Sequence, residues 1–295
     1  MSRSTRSWVP AAVVAVAAAA VIGGFALFGP RDGSPGPGGG ASATPTPSAS
    51  GLSSAPAVAV YYVGDTPLGP RLYREFRSAT GIVDPTADGI AAVVEASLDP
   101  DYRTAWPEGA FAAATYDGDV ITVTLADTSL RRRPAGMTRE EARIAVQQVV
   151  YTLQGAVQRR APVQFRTVEN PIDRVYGVPT AEPIVNDPPL DTLALVNVTS
   201  PEQGAQVSAG VLVVSGVASS FEATVPWEIR AGDGHVVLSG VSMAKGWLDR
   251  LYPWSGRADL SDLPPGDYTF IARTDDPSGG EGPAPTEDSK QFTVR

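Results

Sequence analysis

From residue 192 to residue 295, turn signals recur about every ten residues, and no helix-length apolar pattern fits between them. The runs LALVNVTSP, VLVVSGVAS, ATVPWEIR, HVVLSGV, SGRADL, GDYTFIARTDD and KQFTVR are short and rich in β-branched and aromatic residues. A segment punctuated this way has to stack short strands, so it predicts an all-β sandwich. The chain has no cysteine, so no disulfide pins the two layers.

Residues 57–170 read differently. AVAVYYV and RLYREFRSA flank the turn Leu68-Gly69-Pro70 as a hairpin. PTADGIAAVVEASLDP has Ile90, Val93, Val94 and Leu98 at helical spacing, with Pro100 closing it. AFAAATYDGDVITVTL is a second hairpin about Asp117-Gly118. TREEARIAVQQVVYTLQ opens with a capping box, Thr138 and Glu141, and carries the apolar stripe Ala142, Val146, Val149, Val150 and Leu153. APVQFRTVE closes the domain as a strand. The order β-β-α-β-β-α-β predicts an α+β domain with helices on a mainly antiparallel sheet. Residues 171–191 hold five prolines, show no periodicity and read as an interdomain linker.

The YY strand, the LYREFR strand, the helix ending near ASLDP, the WPEGAFAAATYDGDVITVTL hairpin, the helix ending VVYTLQ and the strand APVQF together resemble the GerMN domain of bacterial sporulation and germination proteins. TLALVNVTSPEQGAQV, VVSGVASSFEATVPWEI, GHVVLSGVSM, LPPGDYTFIARTDDPSGG and KQFTV resemble Gmad2, an immunoglobulin-like domain that often follows GerMN. The resemblance implies an extracytoplasmic, non-enzymatic envelope module pair, without cofactor and without an agreed active site. A link to sporulation or germination is likewise implied by resemblance alone.

The N-terminus sets the expected address. Arg3 and Arg6 precede 22 uncharged residues, Trp8 to Gly29, which as a helix would span about 33 Å against a hydrocarbon core of about 30 Å. The apolar stretch of a cleaved signal peptide is shorter. Residues 1–29 are therefore expected to be a transmembrane signal anchor, with the rest outside the cytoplasm. Residues 30–56, dominated by Gly, Pro, Ser and Thr, are expected to be a disordered stalk. A lipid anchor on cysteine is excluded.

Charge and residue inventory narrow the function. Net charge is −9; residues 1–33 hold three arginines against one aspartate, a net of +2, leaving −11 for the rest. That argues against nucleic acid as a partner. One histidine and no cysteine exclude thiolate chemistry and multi-histidine metal sites. His235 follows the Asp233-Gly234 turn and is expected at an exposed loop tip, away from the sheltered cleft that a catalytic triad needs. Arg131-Arg132-Arg133 reads as a solvated loop, with an anion site as the sharper option. Asp275, Asp276 and Glu281 offer oxygens to calcium but lack the EF-hand spacing, so a long turn is favoured.

Three residues stand out as ligand contacts: Glu222, Trp247 and Tyr252. In VLVVSGVASSFEATVPWEI, a regular strand from Phe221 puts Phe221, Ala223, Val225, Trp227 and Ile229 on the core side and Glu222 outside. Trp247 and Tyr252 fall in the loop GWLDRLYPWSG, whereas Trp254 is in phase with the core. The expected partner is a cell-wall polymer or an envelope protein. The competing reading is a wall-glycan enzyme with a carboxylate pair about 5–10 Å apart, for which Glu222 and Glu228 are the candidates.

Overall fold

The computed structural model describes residues 57–78 and 84–295. The expected anchor, residues 1–29, and stalk, residues 30–56, lie outside the described residues. Among the described residues no helix is long and apolar enough to cross a membrane.

The first half begins with the antiparallel hairpin β1 (Ala57–Thr66) and β2 (Gly69–Ser78). Helix α1 (Pro85–Val94) starts at Asp84, whose side chain accepts from the N–H groups of Thr86 and Ala87, with proline in the first turn. It ends four residues short of Leu98, which is exposed. The chain is diverted there because Leu98 and Asp99 donate their N–H groups to the buried Glu75 carboxylate, at 3.1 and 2.9 Å. Strands β3 (Phe111–Tyr116) and β4 (Ile121–Leu125) pair across Asp117-Gly118, where Gly118 has φ +109. Helix α2 (Arg139–Val157) carries the expected capping box, and β5 (Val163–Thr167) follows.

The single mainly antiparallel sheet is corrected to two small ones. β1 and β2 form one; β3, β4 and β5 form the other, with β5 parallel to β4. The reason lies in α2, which is apolar on two faces. Ala142, Val146, Val149, Val150 and Leu153 join the core against β3–β5. Ile144 and Tyr151, seven positions apart and so on one face, join Val63 and Leu72 on the first hairpin. The helix is sandwiched, and Thr152 Oγ1 accepts the N–H of Tyr61 at 3.1 Å.

Residues 171–191 form an ordered strap. Ile172, Val175 and Tyr176 are buried in the α2 core, and the two-residue strands β6 (Arg174–Val175) and β7 (Val178–Pro179) pair within it. The strap also covers the open side of β5 through the Val163–Ile184 bridge.

The second half is all β. Its strands are β8 (Val196–Ser200), β9 (Ala205–Val207), β10 (Val211–Ala218), β11 (Thr224–Ala231), β12 (Val236–Ala244), β13 (Tyr252–Asp259), β14 (Gly266–Arg273) and β15 (Glu287–Val294). The hydrogen-bonded order is β8-β10-β13-β12-β11-β14-β15-β9. β13 and β12 share only two residue pairs, Met243–Ser255 and Ala244–Trp254. The ladder folds over at that corner, and Trp254 stacks on Phe270 of β14 at 6.4 Å between ring centroids. Alternation holds: Val225, Trp227, Ile229, Tyr268, Phe270, Phe292 and Val294 all point inward. Each such fully buried side chain contributes roughly 1.5–3 kcal/mol relative to exposure. Gly216 is fixed by close approach, since a Cβ there would lie 2.1 Å from the Asn197 carbonyl oxygen.

Candidate functional site

Three loops converge on Ser219-Ser220 at one end of the sandwich. Ser219 donates its N–H to the Leu195 carbonyl (2.8 Å), and its hydroxyl accepts the N–H of Leu248 (3.3 Å). The Ser220 hydroxyl accepts the N–H of Asp275 at 2.7 Å, and its carbonyl accepts from Ala223. These bonds turn the chain through Phe221–Ala223 before β11 begins at Thr224. The regular strand expected from Phe221 is therefore shorter at its start. Phe221 does not enter the core; it is 39 % exposed and meets Trp247 edge-on at 5.1 Å. From Ala223 onward the expected phase holds.

Backbone strain concentrates here. Among the described residues five non-glycines have positive φ, and three of them are Glu222 (φ 50), Ala223 (φ 61) and Leu248 (φ 89). For an L-residue this region costs about 1–2 kcal/mol. Glu222 is exposed, and so is Leu248, at 68 %. Trp247 is half-buried against the sandwich core. Tyr252 opens β13, donates its hydroxyl to Asp249 at 2.7 Å and lies under the Arg250 guanidinium at 4.7 Å. Its ring packs against Gly246, so Trp247 and Tyr252 belong to one loop. The cluster thus offers aromatic and aliphatic surface flanked by Glu222, Asp249 and Arg250.

A second polar cluster, missed in the sequence, is sealed between the two halves. Lys290 Nζ lies 2.7 Å from Asp99 Oδ2, 2.7 Å from Asp288 Oδ1 and 2.6 Å from the Tyr102 hydroxyl. All four residues are buried. Tyr102 also donates to Asp288, and Asp288 Oδ2 accepts the N–H of Val198 at 2.6 Å. Burial alone would push the Lys290 ammonium down, but the charges of Asp288 and Asp99 outweigh it and hold it above the ordinary lysine range. Around this centre, Tyr73 donates to the Glu287 carbonyl (2.9 Å), Ser289 to Asp101 (2.7 Å), and the Arg74 N–H to Asn197 (2.9 Å). Tyr73 and Tyr102 stack at 4.5 Å. The available sequence signal was EDSKQFTV, in which Asp288 and Lys290 share the inward phase with Phe292 and Val294.

The remaining candidates are structurally placed elsewhere. Both Glu228 oxygens are engaged, one by Arg230 and the other by Arg273 at 2.6 Å. Arg131 pairs with Asp173 of the strap, and Arg132 and Arg133 are exposed. His235 sits at an exposed hairpin tip against Asp233. Asp276 caps its own turn through Ser278. Two cavities, of about 430 and 590 Å³, flank α1 and β3; the only carboxylate lining either is Asp84, which caps α1. Among the described residues no group of three His, Cys, Asp or Glu is arranged to hold a metal ion.

Comparison with known proteins now bears on these two halves. Residues 59–173 match the model of a family described as sporulation and spore germination. Residues 195–281 match the immunoglobulin-like domain of bacterial spore germination. No curated protein matches the chain. Among solved structures, CopC from Methylosinus trichosporium OB3b is similar at 22 % identity and a TM-score of 0.24, over 34 % of this chain and 92 % of that one. An engineered protein is similar at 14 % identity and a TM-score of 0.28, over 52 % of this chain and 36 % of that one. At such scores neither structure bears on the architecture. The chain thus carries, in this order, a match to a sporulation and spore germination family and a match to the immunoglobulin-like domain of bacterial spore germination.

Proposed function

We propose that this chain is a non-enzymatic binding or scaffold protein of the bacterial cell envelope, anchored through the apolar run of residues 8–29. Its C-terminal domains stand outside the cytoplasm on the stalk of residues 30–56. In this reading the loop cluster around Phe221, Glu222, Trp247, Leu248 and Tyr252 contacts a cell-wall polymer or an envelope protein, and the setting is sporulation or germination. The observation that carries it is the concentration of left-handed non-glycine residues and exposed apolar side chains at one end of the sandwich. Strained, exposed positions of this kind collect at binding sites. Aromatic rings with a polar rim suit sugar or peptide surfaces. The glycan-hydrolase alternative draws no support, because Glu228 is held in two ion pairs and Glu222 is exposed.

The test is cosedimentation of residues 57–295 with purified cell-wall sacculi over a salt series. Saturable binding that survives moderate salt and is lost in Trp247→Ala supports wall recognition. Absence of binding removes the wall polymer and leaves an envelope protein as the partner.

A further inference from the structure

Lys290 reaches across the joint between the two halves. Its Nζ lies 2.7 Å from Asp99 Oδ2 of the first half and 2.7 Å from Asp288 Oδ1 of its own strand. The three side chains are at most 4 % exposed. Tyr102 walls the site, with its hydroxyl 2.6 Å and its ring centroid 4.6 Å from Nζ, and Tyr73 stacks on Tyr102. An amine and a carboxyl held in contact in a dry site are the two reactants of an amide. Cγ of Asp99 is one bond beyond Oδ2, so Nζ stands within about 4 Å of it, close to the roughly 3–3.5 Å of a near-attack arrangement.

The two carboxylates are held differently. Asp288 Oδ2 accepts the N–H of Val198 at 2.6 Å, and Oδ1 accepts from the Tyr102 hydroxyl as well as from Lys290. Asp99 Oδ1 accepts the N–H of Asp101 at 3.0 Å, whereas Oδ2 meets Lys290 alone among the described residues. Asp288 is also two positions from Lys290 on β15, so joining these two would close only a small ring within one strand. Asp99 is thus the carboxyl free to lose an oxygen, and Asp288 is the fixed proton acceptor.

We propose that Lys290 and Asp99 condense to an intramolecular amide that ties the two domains covalently, with Asp288 carrying the protons. Lys290 gives an ammonium proton to Asp288 Oδ1, and the freed amine attacks Cγ of Asp99, forming the Nζ–Cγ bond. Asp288 delivers that proton to Asp99 Oδ2, and a second proton leaves the nitrogen by the same path. The Cγ–Oδ2 bond breaks and water departs. The ammonium and the carboxylate together hold the atoms of one amide and one water, so no co-reactant is needed. Lys290 resists losing a proton to solvent, because Asp288 and Asp99 stabilise its charge. Transfer inside the site is a different step: it moves a proton between contacting groups and neutralises both, and burial favours the neutral carboxyl of Asp288. The product also removes one buried cation and one buried anion, each of which is costly in a dry site. The chain has no cysteine, so a disulfide cannot make this joint covalent.

Tryptic mapping of the denatured full chain by mass spectrometry tests this. The expected product is peptide 78–103 joined to peptide 274–295, uncut after Lys290 and lighter than the sum of the two by one water. An ion pair alone leaves no such product, so separate peptides 78–103, 274–290 and 291–295 from the unsubstituted chain overturn the proposal. Lys290→Arg and Asp99→Ala are each expected to abolish the link, and a link that survives in either overturns the assignment. Asp288→Asn, checked for folding by circular dichroism, is expected to give at least about tenfold less linked peptide at equal sample age. An equal yield in that variant overturns the role of Asp288. Where a variant does not fold, the map of the unsubstituted chain still decides.

Discussion

Asp288 and Glu222 are carboxylates of the same domain, each on a short segment next to aromatic side chains. Asp288 is enclosed: the Lys290 ammonium, the Tyr102 hydroxyl and the Val198 N–H all point at it, and the first domain closes over it. Among the described residues none hydrogen-bonds or ion-pairs with the Glu222 carboxylate, which stands in solvent on a left-handed backbone. One carboxylate serves to join two domains into one body, and the other is held out at the surface at a cost in backbone strain. The difference separates what the fold requires from what it tolerates. Removing a partner from the enclosed cluster strands charge in a dry place, whereas changing the exposed cluster alters little except what touches it.

The largest expected effect is at the enclosed site. Lys290→Met leaves Asp99 and Asp288 buried without their cation, which should cost about 3–5 kcal/mol. Urea unfolding checks this. Because Lys290 bridges the domains, we expect the unsubstituted protein to melt in one transition and Lys290→Met to lower that transition or split it in two. A loss below about 1 kcal/mol would put Lys290 with ordinary surface ion pairs and erase the contrast with Glu222.

The next effect is alkaline. Burial raises the phenols of Tyr73 and Tyr102 above the ordinary tyrosine range, and raises Tyr62 and Tyr176 to about 12. A folded state that keeps its protons while the unfolded chain gives them up is stabilised below the unfolded pKa and loses that stability as pH rises. Lys290, also raised, has the same sign. The melting temperature should therefore be level up to pH about 10 and fall steeply beyond it. Phenolate absorbance should appear together with unfolding rather than before it. Tyr102→Phe, which removes one contributor, should make the fall shallower.

Ser220 is buried although it belongs to the loop cluster. Ser220→Ala removes the acceptor for the Asp275 N–H and should cost about 1–3 kcal/mol by thermal melting. It should also loosen the Phe221–Ala223 turn, so any ligand binding by the cluster should weaken with it.

How much of this was legible follows from range. The inward phase of β11 at Val225, Trp227 and Ile229 and one face of α2 were readable because each depends on residues two to four apart. The other face of α2, Ile144 and Tyr151, repeats only twice, and it was this face that divided the expected sheet in two. Ile172, Val175 and Tyr176 sit among prolines with no period, so the strap read as a linker. The Lys290 cluster joins residues up to 191 positions apart, and no local pattern encodes that pairing. The turn at Glu222 carries no Gly, Asn or Asp to announce a left-handed backbone, so it read as strand.

That missing glycine gives the smallest and most discriminating prediction. Glycine adopts φ near +50 without the Cβ clash that Glu222 bears, so Glu222→Gly should stabilise the protein by up to about 1 kcal/mol, less the extra entropy lost on ordering glycine. Asp288→Gly, by contrast, should be severely destabilising. If Glu222→Gly raises the melting temperature while weakening sacculus binding, the strain at residue 222 is retained for the contact its side chain makes. If it raises the melting temperature and leaves binding intact, the carboxylate contributes nothing there, and Phe221, Trp247 and Leu248 carry the contact through apolar surface alone.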